Sequence, residues 1–532
     1  MYKFYLLSEV DILGKRFNTT GNCVPKKHYM VNIDDKLRVI ENMVNMGDYF
    51  TINRPRQFGK TTTLDMLEKK LEKKFLTIAI SLEGIGDTVF KEEKSFSNIF
   101  LELMERSLEF QDEREAKRLK KLCDDITNLN DVSKVITKFI KQSTREVILI
   151  IDEVDKSSNN QLFLSFLGTL RNKYLLRNKD RDFTFLSVIL AGVHDVKNLK
   201  IKLRDEDEKK LNSPWNIAVD FDVNMSFNGI EIGTMLKEYA DCNNLALDIE
   251  KLSDRIYFLT GGYPFLVSRV CKTIDEKIYP DIKNPWSVED IDKAVKLIIG
   301  EVNTLFESIV KNLENNEELY HLVKRILINS ELIIFNALDP IINVGLIHGI
   351  FKEGVNGVTI SNKVFEEVIY NYIISKSRTT HKDMSQYNFK DKFITSQGGL
   401  DIQKVLCKFQ QFMKEQYSHL DATFIEREGR LLFLAFIKPI INGVGFDFKE
   451  VQISEEKRLD IVITYNSFKY IIELKIWRGE KYHKDGLIQL SDYLDIHSMN
   501  SGFLVIFNFN QSKEYKEESN FENNKEIFIV YV

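Results

Sequence analysis

Residues 49–67, YFTINRPRQFGKTTTLDML, constrain this chain more than any other stretch. A short apolar run (Tyr49–Asn53) meets a tight basic loop, and Gly59-Lys60-Thr61 then opens a helical run. A strand turning into a helix in this way gathers backbone N–H groups and a helix N-terminus at one point, which favours bound anions. The phosphate-binding P-loop has this build, G-x-x-x-x-G-K-[ST], with Arg54 here in place of the first glycine. On that reading Arg54, Arg56, Gln57, Phe58, Gly59, Lys60, Thr61 and Thr62 surround a phosphate chain. Lys60 neutralises it, Thr61 places its hydroxyl on Mg²⁺, and Arg54 or Arg56 adds positive charge beside it. An ordinary strand-to-helix turn carrying the same tripeptide stands as the alternative.

A second stretch, Glu146–Lys156 (EVILIIDEVDK), runs through consecutive aliphatics into Asp152-Glu153. This reads as a central parallel strand with acids at its C-terminal end, where open α/β sheets place ligand-contacting groups. Asp152 then holds the water shell of Mg²⁺ and Glu153 polarises a water attacking a γ-phosphate; a buried strand that merely ends in an acid is the plainer reading. Leu76–Leu82 is a further strand, lying between the two motifs in sequence as in ATPases with an extra strand between those motifs. Asp182–Val193 is another, with His194 and Asp195 at its end, and Asn216–Val223 reads as the last strand of the sheet. Residues 96–141 read as helical, and FNTTGNCVPKKHYM in the first 30 residues is either a cover for a nucleotide base or a plain arm.

At 532 residues the chain exceeds what one hydrophobic core supports. Its net charge of −5 argues against a surface that coats nucleic acid generally, so any such contact needs a local basic patch. Five cysteines without paired spacing suit a reducing compartment and exclude a Cys-x-x-Cys zinc site. No apolar run reaches the roughly 18 residues of a membrane helix, so a cytoplasmic protein with no membrane partner is expected.

The segments FNTTGNCVPKKHYM, YFTINRPRQFGKTTTL, LIIDEVD, SPWNIAVDFDVNMSF and TGGYPF resemble the bacterial AAA-ATPase-like family allied to the STAND NTPases and archaeal ATPases, over residues 17–65 and 146–270. The resemblance implies that ATP and Mg²⁺ are bound by Lys60 and Thr61, that Asp152 and Glu153 form the Walker B pair, and that Pro264 lies near the adenine. Arg54 matches the family's own variant of the loop.

Residues 276–375 read as helices (Val288–Ile309, Glu317–Asn329) followed by strand-like pieces at Val344–Ile347 and Gly357–Ile360, a winged-helix-like order. Residues 376–399 are polar and read as a linker. The expected fold class is α/β: a P-loop NTPase parallel sheet over 1–275, this middle region, and a C-terminal α/β restriction-endonuclease-like domain over 400–532.

The last domain carries its own chemistry. Leu459–Tyr465 and Phe468–Ile476 read as an antiparallel hairpin turning at Asn466-Ser467, with Tyr465 opposite Phe468 and Val462 opposite Ile471. That register sets Asp460 opposite Glu473 with Lys475 on the same face. Two carboxylates and an ammonium on otherwise apolar strands suit Mg²⁺ or Mn²⁺ at a scissile phosphate, with the lysine orienting or deprotonating the metal-bound water. A cross-strand salt bridge is the alternative. The stretch resembles the PD-(D/E)XK nuclease superfamily through Asp460 and Glu473-Leu474-Lys475, which implies Glu428 as the acid of the preceding helix and Gln489 as the downstream glutamine. Arg478, Lys481, His483 and Lys484 form either a patch for a phosphate backbone or a solvated loop. The expectation is an ATP-controlled, metal-dependent nuclease acting on nucleic acid, DNA before RNA, in genome defence, with nucleotide-dependent homo-oligomerisation. A STAND-like switch or scaffold with an inactive nuclease fold is the second reading.

Overall fold

The computed structural model describes residues 14–156, 160–193, 215–281, 283–328, 331–355, 357–380, 393–417, 422–441, 445–449, 461–465, 468–477, 479–508 and 514–532. The chain divides into two compact units. The first runs to Asn312 and adds Phe335–Gly354 and Val358–Phe365; the second comprises Leu313–Ile334, Val355–Gly357 and Glu366–Val532.

In the first unit α1 (Asp34–Asn45) leads into β1 (Tyr49–Asn53), and α2 (Lys60–Leu71) into β2 (Leu76–Ser81). Three helices, α3 (Glu93–Gln111), α4 (Glu113–Lys120) and α5 (Leu129–Lys141), precede β3 (Val147–Asp152). Then come α6 (Gln161–Arg177) and β4 (Ser187–Gly192). The four strands form a parallel sheet in the order β1-β4-β3-β2. Every residue of β3 and β4 is buried, as a parallel sheet covered on both faces requires. Phe96, Phe100, Phe163 and Phe166 pack into this core with Leu149, Ile151 and Leu190. The strand lying in space between the two motif strands is β4, whereas the Leu76 strand sits at the sheet's outer side. Asn216–Val223 does not form a full strand. Only Val219 bridges to Phe50, through its N–H on the Tyr49 carbonyl at 2.9 Å.

Beyond the sheet lie α7 (Gly229–Asn243), α8 (Ile249–Thr260), α9 (Pro264–Thr273) and α10 (Val288–Ile299). The turn between α8 and α9 is glycine for a steric reason. Gly262 has φ +70°, its carbonyl accepts the Phe227 N–H at 2.9 Å, and a Cβ there would sit 1.8 Å from the Phe227 oxygen. The chain continues through α11 (Thr304–Asn315), α12 (Glu317–Leu327), α13 (Pro340–Ile347), β5 (Phe351–Gly354), β6 (Gly357–Ile360) and α14 (Lys363–Thr380). The strand expected at Val344–Ile347 is therefore helical. Asp339 accepts the Ile341 and Ile342 N–H groups and Pro340 occupies the first turn, so a local cap outweighs the β-branched composition.

The second unit is built on α15 (Ile402–Tyr417), α16 (Ala422–Ile441), β7 (Gly445–Lys449), β8 (Ile461–Tyr465), β9 (Phe468–Ile476), α17 (Glu480–Ile496), β10 (Ser501–Phe507), β11 (Glu517–Glu522) and β12 (Lys525–Tyr531). Its sheet has the order β11-β12-β10-β9-β8-β7. The central strands β9, β10 and β12 run parallel, while β7, β8 and the far β11 are antiparallel to their neighbours. Tyr465 pairs with Phe468 and Val462 with Ile471, the register expected for the hairpin. Leu487, Leu490 and Leu494 of α17 close over Ile471, Leu504 and Ile506 on one face of this sheet.

Candidate functional site

The first site lies where β1 turns into α2. Gly59 takes φ +77° and sets the first turn of α2. Lys60 is buried, and its Nζ donates to the Arg54 and Pro55 carbonyls at 2.9 and 3.0 Å, so the loop curls around the ammonium. Burial holds its pKa below the ordinary lysine range, against the pull of Glu153, Asp155 and Asp152. From the next residue, Thr61 Oγ1 donates to Asp152 Oδ2 at 2.8 Å. The other Asp152 oxygen, Oδ1, accepts the Glu153 N–H at 2.8 Å. Glu153 itself adopts φ +56°, a conformation costly for a residue with a Cβ. Burial, and then the Asp152 charge, push its carboxyl above the usual range. One lysine, one hydroxyl and two carboxyls thus converge from two strand ends distant in sequence.

The remaining loop residues divide. The Arg54 guanidinium donates to the Val223 and Phe221 carbonyls at 2.6 and 3.5 Å and lies 5.2 Å from the Phe221 ring, so it ties down the segment beside β1. Arg56 and Gln57 are exposed; Gln57 Nε2 donates to Thr304 Oγ1 at 2.9 Å, and the Arg56 carbonyl accepts the Tyr263 hydroxyl. Phe58 meets the edge of Tyr263 at 4.8 Å. Thr62 Oγ1 accepts the Cys23 N–H at 3.2 Å, anchoring the N-terminal arm.

Beside the loop opens a cavity of about 580 Å³. Gln57, Phe58, Gly59 and Thr62 form one wall, Pro264 and Arg269 of α9 another, and the arm around Asn18–Cys23 a third. The arm is fastened at both ends. Asn22 Nδ2 donates to Asp65 of α2 at 2.8 Å, Lys15 pairs with Glu238 of α7, and Phe17 is buried against Tyr29, Tyr239 and Trp286. Pro264 lies in van der Waals range of where a Gly59 side chain would stand, so the residue is at the mouth of the loop. Arg269 is paired with Glu301. His194 and Asp195 lie outside the described residues.

The second unit brings together three of its expected residues. Glu473 is buried, Lys475 Nζ lies 3.0 Å from Glu473 Oε1, and the same Nζ donates to Gln489 Oε1 of α17 at 3.0 Å. Gly486 makes this approach possible, since a Cβ there would stand 2.5 Å from Lys475 Nζ. Asp460 lies outside the described residues, as does Arg478. Glu428 belongs to α16, and Lys481 and Lys484 to the first turns of α17. His483 is not part of the Glu473 group; it packs 5.6 Å from Trp477, and burial lowers its pKa. Among the described residues no cluster of three or more His, Cys, Asp or Glu side chains is placed to hold a metal.

Two features escaped the reading of residues. Asp155, the last residue of the LIIDEVD segment, accepts the Val193 N–H at 2.5 Å, and Arg54 serves the sheet edge; both depend on which strands are neighbours, which no local pattern encodes.

Comparison with solved structures returns several P-loop proteins. The Walker-type ATPase PABY2304 of Pyrococcus abyssi aligns at 12% identity and TM-score 0.44, over 66% of this chain and 99% of that one. The Aeropyrum pernix ORC2 protein aligns at 13% and 0.37, over 68% and 98%. The Thermotoga maritima RuvB Holliday junction branch migration motor gives 13% and 0.32, over 64% and 95%. Among curated sequences, the uncharacterized WD repeat-containing protein slr0143 of Synechocystis is 25% identical over 179 residues, 33% of this chain but only 13% of the relative's length. A family profile described as AAA-like domain matches residues 24–367, well over half of the chain, which therefore belongs to the AAA-like domain family.

Proposed function

We propose that the chain binds and hydrolyses ATP at the P-loop and that its C-terminal unit is a metal-dependent phosphodiesterase acting on nucleic acid, DNA before RNA, under control of that nucleotide. The single observation that carries the nucleotide part of the reading is the Thr61 hydroxyl on Asp152 at 2.8 Å, with the Lys60 ammonium beside it. A hydroxyl and a carboxylate so close are hard oxygen donors on one side of a site, the partial set that Mg²⁺ takes when phosphates and water complete its shell. Bound there, Mg²⁺ would neutralise phosphate charge as it develops in the reaction.

The chain's own residues do the rest. Lys60 exchanges two neutral carbonyls for phosphate oxygens, a stronger charge-assisted contact. Glu153, whose carboxyl binds protons more readily than an ordinary glutamate, accepts a hydrogen bond from the attacking water and orients it. Pro264, Phe58 and the arm enclose the base, and Arg54 keeps the loop on the sheet edge rather than touching phosphate.

At the second site Glu473 would hold Mg²⁺ or Mn²⁺. Lys475, steadied by Gln489, would orient the nucleophilic water, and Asp460 and Glu428 are retained as partners from sequence alone. Nucleotide-dependent homo-oligomerisation is part of the same proposal.

The test is cleavage of plasmid DNA and single-stranded RNA with Mg²⁺ or Mn²⁺, with and without ATP, in wild type, Lys60→Ala and Lys475→Ala. Cleavage lost in Lys475→Ala, and responsive to ATP only when Lys60 is present, supports the whole reading. ATP binding without cleavage under any condition removes the phosphodiesterase and leaves a nucleotide-dependent scaffold.

A further inference from the structure

Between the loop strand β1 and the acid strand β3 lies β4, and its last residues are held from both sides. The Gly192 carbonyl accepts the Arg54 N–H at 3.1 Å, where the phosphate loop begins. The next N–H, that of Val193, donates to Asp155 Oδ2 at 2.5 Å. Asp155 sits in the single helical turn Val154–Lys156 that follows Glu153. Gly192 is pressed against that turn, since a Cβ on it would lie 2.9 Å from both Asp155 Oδ1 and Val154 Cγ2. Val154 is fully buried beneath. Asp152 closes the ring, accepting Glu153 N–H on one oxygen and the Thr61 hydroxyl on the other.

A ring of hydrogen bonds therefore runs from Arg54 to Gly192, from Val193 to Asp155, back through Glu153 to Asp152, and on to Thr61. Within it Glu153 is held at φ +56°. A non-glycine residue stays in that region only where its surroundings over-determine it. The bond from Asp155 to β4 fixes the turn on the C-terminal side of Glu153, as the Thr61 bond to Asp152 fixes the strand end on its N-terminal side.

We infer that Asp155 is a positioning residue of the nucleotide site: its carboxylate clamps the end of β4 to the turn that carries Glu153, so that phosphate loop, middle strand and acid turn keep one geometry. This rests on the hydrolytic reading above. Its effect falls on the orientation of Glu153 more than on nucleotide affinity, because the hydrogen bonds of Lys60 and Thr61 go to other acceptors. Misplacing a water-orienting group by about 1 Å costs on the order of a hundredfold in rate.

The experiment uses the full chain with Asp155→Ala, Asp155→Asn and Gly192→Ala, each checked for wild-type melting. It reads affinity for a fluorescent ATP analogue, kcat and KM for ATP hydrolysis, and hydrogen exchange over residues 187–193. Expected for Asp155→Ala is a fall in kcat of about tenfold or more with KM and affinity near wild type, and faster exchange at Val193. Asp155→Asn keeps an acceptor oxygen and restores most of the rate. Gly192→Ala, which drives a methyl into the clamp, behaves like Asp155→Ala.

Wild-type kcat in Asp155→Ala, or unchanged exchange at Val193, overturns the assignment, as does an Asp155→Asn variant as slow as Asp155→Ala. Where wild type turns over ATP and Asp155→Ala is unaffected, only this inference fails. A wild type that binds ATP without hydrolysing it defeats the hydrolytic reading and the positioning role together.

Discussion

Glu68 makes the stability of the phosphate-loop helix depend on pH in a way that can be worked out in advance. It lies half-buried on α2, one turn beyond Asp65 and one turn before Glu72. Burial first, and then the charges of Glu72 and Asp65, raise its pKa from 4.5 to about 7, with Lys69 opposing weakly. The folded state therefore binds this proton more tightly than the unfolded chain does. The stabilisation is fully present below pH 4.5, declines as pH rises through the window from 4.5 to about 7, and is gone above it. At 1.36 kcal/mol per tenfold change in proton affinity the ceiling is about 3 kcal/mol, and partial exposure to solvent reduces it to about 1 kcal/mol. Glu68→Gln removes the ionisation while keeping size and polarity. Measured by denaturant unfolding from pH 5 to 8, wild type should lose about 1 kcal/mol more than Glu68→Gln, and the variant should be the more stable of the two at pH 8. Parallel profiles for the two proteins would refute the reasoning, because the burial of Glu68 would then carry no proton linkage.

Other outcomes follow from the same geometry. Lys60→Met gives up two carbonyl contacts but also a buried ammonium, so unliganded stability should stay within about 1 kcal/mol of wild type. It should however lose the stabilisation of about 2.7 kcal/mol that MgATP at a hundred times Kd confers on wild type, read as a missing shift in thermal midpoint. Gly262→Ala forces a methyl against the Phe227 carbonyl at a positive φ and should destabilise the first unit by roughly 3 kcal/mol, seen in calorimetry. Gly486→Ala should displace Lys475 from Glu473 and Gln489, lowering the rate of the proposed cleavage with little change in melting; equal loss of both would point to a packing role alone.

Much of the architecture is legible in local patterns. Tyr49–Leu71 announces a strand, a turn and a helix through its run of apolar residues and Gly59-Lys60-Thr61, and the hairpin register around Tyr465 and Phe468 follows from period-two alternation and a two-residue turn. Local reading fails where two signals compete. Val344–Ile347 looks like a strand by composition, but Asp339 and Pro340 start a helix whose Gly345 packs under the Phe351 ring. Asn216–Val223 looks like a full strand, yet it contributes only the Val219 bridge.

The sequence by itself determined which residue types were available for phosphate and metal chemistry, because Lys60, Thr61, Asp152 and Glu153 stand at strand ends that hydrophobic periodicity places. It likewise determined that Glu473 and Lys475 share a face of β9, since the pleat alternates. Tertiary structure alone decided that β4 stands between the loop strand and the acid strand, that Arg54 serves the sheet edge, and that Asp155 holds Val193. Each of those contacts joins segments whose separation along the chain is large. Their pairing is set by how whole strands and helices bury their apolar faces against one another, and no short window of residues contains that information.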